Sequence, residues 1–280
     1  MKPKRTSARR QLRPASKARR RTARPVQQAA AIPPVNHPEP YVSVIIPAMN
    51  EERTIRGVIA EARGVHSRCE VIVIVNGSAD RTAEMASSSG ARVISYEQPL
   101  GHDAGRSVGA EAAMGEVLLF LDGDFVIPAS KLRPFVRAVN EGADIALNGY
   151  SGPVRQAMPH PVVLSKHALN LLLGRPDLKG SSMTAVPHAL SRRALAVLGS
   201  GLLSRPPLAH AAAVTTDLRV QAVHTVEVGK LNSVRRKAGG SDPLQQQIVE
   251  DHLEAVSLLL ERRGHRAGFG DGSRRREIVR

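Results

Sequence analysis

The chain of 280 residues has no tryptophan, three tyrosines and four phenylalanines. Its core must therefore rest on valine, isoleucine, leucine and alanine, and stacking platforms for nucleobases are scarce. A single cysteine, Cys69, excludes a disulfide framework and suits a reducing, cytoplasmic setting. No stretch approaches the ~20 apolar residues of a membrane-spanning helix. The first residues are basic with no apolar run behind them, so they do not read as a secretory signal.

Acidic residues are missing from residues 1–25, which hold eleven lysines and arginines. The formal charge of +15 is thus concentrated there, and residues 26–280 carry only +4. Such a block is expected to be disordered and to attract phosphate-rich partners, either nucleic acid or an anionic membrane surface, the latter making the protein peripheral at the inner face of the membrane. A plain solubilising tail is the alternative. Pro25, Pro33, Pro34, Pro38 and Pro40 mark a stiff linker. The expected organisation is a basic arm and linker over 1–40, an ordered domain over 41–263, and a flexible basic tail over 264–280.

Apolar β-branched runs then alternate with helical segments. Strands are expected at Val42–Ile46, Glu70–Val75, Ala91–Ser95, Val117–Leu121 and Ala143–Leu147. Helices are expected after Asn50, whose side chain offers a cap with Glu51 and Glu52 in the first turn, then over Asp80–Ser89, Asp103–Met114 and 130–141. The class is α/β, a mostly parallel sheet with helices on both faces. Further along, a short helix holds Leu169–Leu173, another covers Ala189–Leu198, and a strand covers Val223–Val228. Residues 243–263 form an amphipathic helix with Val249, Leu253, Val256 and Leu260 on one stripe.

Ligands of such sheets gather at the carboxyl ends of strands. There the fourth strand runs into Asp122-Gly123-Asp124. Alone, this triplet reads as a solvated turn. After an all-apolar strand, it sets two carboxylates on one side, where they need a cation. Oxygen ligands suit Mg²⁺ or Mn²⁺, which in turn bind substrate phosphates. The second strand ends in Asn76, whose amide suits a base edge. Arg106, within Gly101-His102-Asp103-Ala104-Gly105-Arg106, would reach a diphosphate from the following helix.

These segments resemble the family 2 glycosyltransferases of the GT-A fold. Val42-Ser43-Val44-Ile45-Ile46-Pro47-Ala48-Met49-Asn50-Glu51-Glu52 is similar to their first strand and donor loop. Val73-Ile74-Val75-Asn76-Gly77-Ser78-Ala79-Asp80 resembles their second strand and acidic turn, with Asn76 where the family usually has an acid. Gly101 to Gly109 and Leu118 to Asp124 resemble their Gly-Arg segment and DxD motif.

The resemblance implies metal-dependent transfer of a sugar from a nucleotide-sugar donor to an unknown acceptor. Pro47, Ala48, Asn50, Glu51 and Asn76 would hold base and ribose. Arg106 and Gly123 would line the donor, Asp122 would face ribose or metal, and Asp124 would ligate the metal. Inverting members use a carboxylate base. Asp217, the one acid between Lys179 and Glu227, is the candidate for that role, with a structural turn as its alternative. No processive-synthase segment follows, so a non-processive enzyme is expected.

The basic run Lys230–Lys237 reads either as a loop closing over the diphosphate or as a solvated surface. A nucleotidyltransferase is disfavoured because Pro47–Glu52 contains no glycine. A catalytically idle nucleotide-binding module, tethered by the arm, is the remaining alternative.

Overall fold

The computed structural model describes residues 35–154, 157–231 and 244–270. The expected arm up to residue 34, positions 232–237 of the basic loop, and tail positions 271–280 lie outside the described residues.

Seven strands form one sheet: β1 (Val42–Ala48), β2 (Cys69–Asn76), β3 (Arg92–Tyr96), β4 (Val117–Phe120), β5 (Ile145–Asn148), β6 (His188–Ser191) and β7 (Val220–His224). Their order is β3-β2-β1-β4-β6-β5-β7. β1 pairs in parallel with β2 and β4, β2 with β3, and β5 with β7. β6 alone runs antiparallel, between β4 and β5.

Side-chain alternation sends each central strand into two cores. Val44 and Ile46 of β1, with Val71, Val73 and Val75 of β2, pack under α1 (Ile55–Arg63), α2 (Thr82–Ser88) and α4 (Ala129–Asn140). Ile45, Ile72 and Ile74 face the other way, toward α3 (Ala104–Ala112), α6 (Arg192–Leu198) and α7 (Pro206–Val214). A third cluster joins α5 (Pro161–Leu172) and α7 to the long C-terminal helix through Leu169, Leu173, Leu208, Ala255 and Leu259. A short helical turn, α8 (Val228–Leu231), precedes that long helix, α9 (Gln245–Arg263).

Five details differ from the sequence reading. The strand expected over Val223–Val228 is β7 at Val220–His224, set by its parallel pairing with β5, and Val228 opens α8. Ala189–Leu198 is strand β6 followed by α6. The break falls at Ser191, whose hydroxyl accepts the Ala194 amide as a helix cap. α1 begins at Ile55, because Asn50 takes a positive φ of 58° and works across loops instead of capping a helix. The buried stripe of α9 is His252, Ala255 and Leu259, with Leu253 exposed. The fold also starts before Tyr41. The Asn36 amide bonds the Val71 backbone in both directions at 2.9 and 3.1 Å, and the His37 amide donates to the Cys69 carbonyl.

Candidate functional site

A parallel sheet covered on both faces leaves only its strand ends open, and here the carboxyl ends converge on one cavity of about 450 Å³. The end of β1 and the loop after it contribute Pro47, Ala48, Met49 and Glu51, and β2 ends there in Asn76. Pro99 and Gly101–Asp103 follow β3, and Asp122–Asp124 follow β4. Arg106 reaches it from α3. Gln247 of α9, with Leu244 just before that helix, closes the far side.

The loops are stitched by side chains to backbone. Asn50 accepts the Ala79 amide at 2.9 Å and donates its own amide to Ser78 Oγ at 3.0 Å. The Glu51 amide donates to Thr82 Oγ1, and the Glu52 amide to Asp80 Oδ2. Thr54 Oγ1 donates to the Gly123 carbonyl at 2.7 Å, tying the β1 loop to the β4 loop. A Cβ on Gly123 would lie 3.0 Å from Ala48 Cβ and 3.3 Å from the Pro47 carbonyl, so glycine permits this close passage. Asn50 therefore braces the wall without lining it.

Beneath the cavity sits one buried guanidinium. Arg106 is 5 % exposed. Its Nη1 lies 3.3 Å from Asp103 Oδ1 and donates to the Met183 carbonyl at 3.2 Å, while Nη2 lies 3.5 Å from Asp122 Oδ1. Arg106 thus faces two carboxylates rather than standing free for a diphosphate. His188, stacked on Phe120 at 4.9 Å, lies in its field. Burial first, then the Arg106 charge, hold the His188 imidazole down to about 3, so it is neutral at physiological pH. On α9, burial and the neighbouring Asp103 carboxylate push Asp251 above the usual carboxylate range.

The cavity walls carry Glu51, Asp103, Asp122 and Asp124 against Arg106 and His102. Among the described residues, no three His, Cys, Asp or Glu side chains gather as a metal cage. This donor set suits a hard cation that takes one or two carboxylates and completes its shell with water and substrate phosphates. It does not suit a structural metal held by protein alone.

Eight of the residues singled out from sequence line this cavity: Pro47, Ala48, Glu51, Asn76, Arg106, Asp122, Gly123 and Asp124. Asp217 does not. It precedes β7, at the amino end of the parallel pair β5–β7, and is ion-paired with Arg193, which also holds Asp144. The opposite edge of the sheet is no place for a base acting in this cavity, so the structural alternative describes Asp217 better. Leu244 and Gln247 were not foreseen as wall residues, since only tertiary packing brings α9 here.

Residues 43–176 match the family model described as glycosyl transferase family 2. The chain is 33 % identical over 128 residues to glucosyl-3-phosphoglycerate synthase of Mycobacterium tuberculosis, covering 41 % of this chain and 39 % of that protein. It is 33 % identical over 104 residues to a dolichyl-phosphate hexose transferase of Haloferax volcanii, covering 37 % and 45 %. The chain therefore spans less than half the length of these curated relatives. The structure of the M. tuberculosis synthase with uridine diphosphate superposes with a TM-score of 0.55 at 25 % identity, covering 83 % of this chain and 82 % of that one. Its complex with Mn²⁺, UDP-glucose and phosphoglyceric acid gives 0.55 and 25 %, covering 83 % and 81 %. These matches establish the GT-A fold.

Removing Arg106 would leave Asp103 buried without its counter-charge. Arg106→Ala is expected to cost about 3 kcal/mol or more of unfolding free energy, measured by urea denaturation. A loss under about 1 kcal/mol, the scale of an exposed pair, would contradict the buried ion cluster.

Proposed function

We propose that this chain, whose residues 43–176 belong to glycosyl transferase family 2, transfers a sugar from a nucleoside-diphosphate sugar to an acceptor hydroxyl with the help of Mg²⁺ or Mn²⁺. The observation that carries this reading is the meeting of Asp122-Gly123-Asp124 with the β1 and β2 loops in one cavity at the carboxyl ends of the sheet.

In this reading Asp122 and Asp124 are the DxD pair. Asp124 would ligate the cation, and Asp122 would face ribose or cation. When bound, the cation neutralises the charge that develops on the leaving diphosphate. Pro47, Ala48 and Glu51 form the nucleoside side. Arg106 orients Asp122 from below. By bonding the Met183 carbonyl it also draws the 180–184 turn toward the cavity floor, where an acceptor would approach. Uridine diphosphate is the first donor nucleotide to try, because the similar M. tuberculosis enzyme was solved with it.

Asp124→Ala is expected to retain the wild-type melting temperature while losing on the order of 10²-fold or more in Mn²⁺-dependent donor hydrolysis and transfer, as loss of a group acting on transition-state charge does. Undiminished turnover in that variant would remove the metal assignment. Absence of any donor hydrolysis in the wild-type chain would favour the idle binding module.

The basic arm fits a tether. Each lysine or arginine contributes about 1 kcal/mol at an anionic surface, an attraction that fades with salt. Among the described residues no helix is long and apolar enough to cross a membrane. Together with the lone cysteine, the arm supports a cytoplasmic protein docked at an anionic bilayer. Deleting residues 1–32 is expected to abolish binding to phosphatidylserine vesicles at low salt while preserving donor hydrolysis. Retained vesicle binding, or a preference for duplex DNA over vesicles that vanishes with the arm, would contradict a membrane tether.

A further inference from the structure

We infer that Asn76 is a positioning residue, whose amide pins the segment Pro99–Gly101 as a wall of the cavity with its oxygen and N–H used as a pair on backbone instead of on a nucleobase. The inference rests on the reading of this cavity as a nucleotide site, and it revises the role expected of Asn76 from sequence.

Asn76 is the last residue of β2 and is 7 % exposed. The Leu100 amide donates to its Oδ1 at 2.7 Å, and its Nδ2 donates to the Gly101 carbonyl at 2.8 Å. Turning the amide over would set donor against donor and acceptor against acceptor, so these partners fix its orientation. A side-chain amide recognises a base by presenting oxygen and N–H together as a pair, and here one N–H and one lone pair are already used together on adjacent backbone groups.

The same segment is seated on β2 from below. Gly77 has a φ of 72° and donates its amide to the Tyr96 carbonyl at 2.9 Å. A Cβ there would come within 2.7 Å of Pro99 Cγ, so the chain lies directly against this glycine. Pro99 and Gly101 in turn face the cavity, so the amide of Asn76 acts on a ligand through them. Loosening the pin should therefore weaken every nucleotide alike.

The test measures binding of UDP, GDP and ADP, each with Mn²⁺, to the wild-type chain, Asn76→Ala and Asn76→Asp by calorimetry, together with hydrogen exchange at the Leu100 amide. Asn76→Ala removes both bonds. Asn76→Asp keeps the acceptor for Leu100 but sets a carboxylate against the Gly101 carbonyl. In both variants the three affinities are expected to fall by a common factor of about tenfold, the scale of one or two lost hydrogen bonds. Leu100 exchange should accelerate in Asn76→Ala and stay slow in Asn76→Asp. With the sugar donor, KM should rise far more than kcat falls.

Loss confined to one nucleobase would overturn the inference in favour of direct base reading. Unchanged Leu100 exchange in Asn76→Ala would also overturn it. Failure of the wild-type chain to bind any of the three nucleotides would instead remove the nucleotide reading, and Leu100 exchange would still decide whether the pin exists.

Discussion

One buried guanidinium underlies the arrangement of this site. Arg106 stands on α3 and meets the Asp103 carboxylate, the Asp122 carboxylate and the Met183 carbonyl. A charge taken out of water is tolerated only when its partners are well placed. The three partners come from the start of α3, the end of β4 and the turn ahead of β6, so satisfying one side chain registers three parts of the chain against each other. It also fixes the electrostatics of the cavity. The cation beneath the floor offsets part of the negative charge that Asp103 and Asp122 bring to the walls.

The parts of the fold that follow from local rules were legible in the sequence. β1, β2 and β4 are buried on both faces and read as apolar runs, broken near their starts only by Ser43 and Glu70, which bond each other, and their ends locate the polar loops. That is why Asp122, Asp124 and the Pro47–Glu51 segment read as parts of one site from the sequence. β6 escaped because His188-Ala189-Leu190-Ser191 consists largely of helix formers and earns its extended form only by pairing between β4 and β5. Asn50 looked like a helix cap because its usual use is local, whereas here it bonds Ser78 and Ala79 on another loop. The face of α9 was misjudged because His252 is buried against α5 and α7 while Leu253 is left at the surface, the reverse of what hydrophobicity alone suggests.

The same distinction separates the two halves of the molecule. Residues 43–176 match a shared family pattern and supply most of the strand ends and loops that line the cavity. Past Pro176 the family model no longer matches, although the solved synthase structure covers 83 % of the chain. The 180–184 turn is held by Arg106 and by Asn170, whose amide donates to the Lys179 and Ser181 carbonyls. α9 is laid across α5 and α7 so that its first turn reaches the cavity. Those contacts depend on tertiary packing, and they are where an acceptor preference particular to this chain would be written.

The central claim is that the cation is shared between two carboxylates and the diphosphate of a nucleotide, since no protein cage of three ligands gathers among the described residues. Binding of Mn²⁺, followed by electron paramagnetic resonance with and without uridine diphosphate, tests this directly. The account predicts weak Mn²⁺ binding to the protein alone and at least about tenfold tighter binding with the nucleotide, as linkage between two ligands that touch each other requires. Equal Mn²⁺ affinity in the presence and absence of the nucleotide would contradict it.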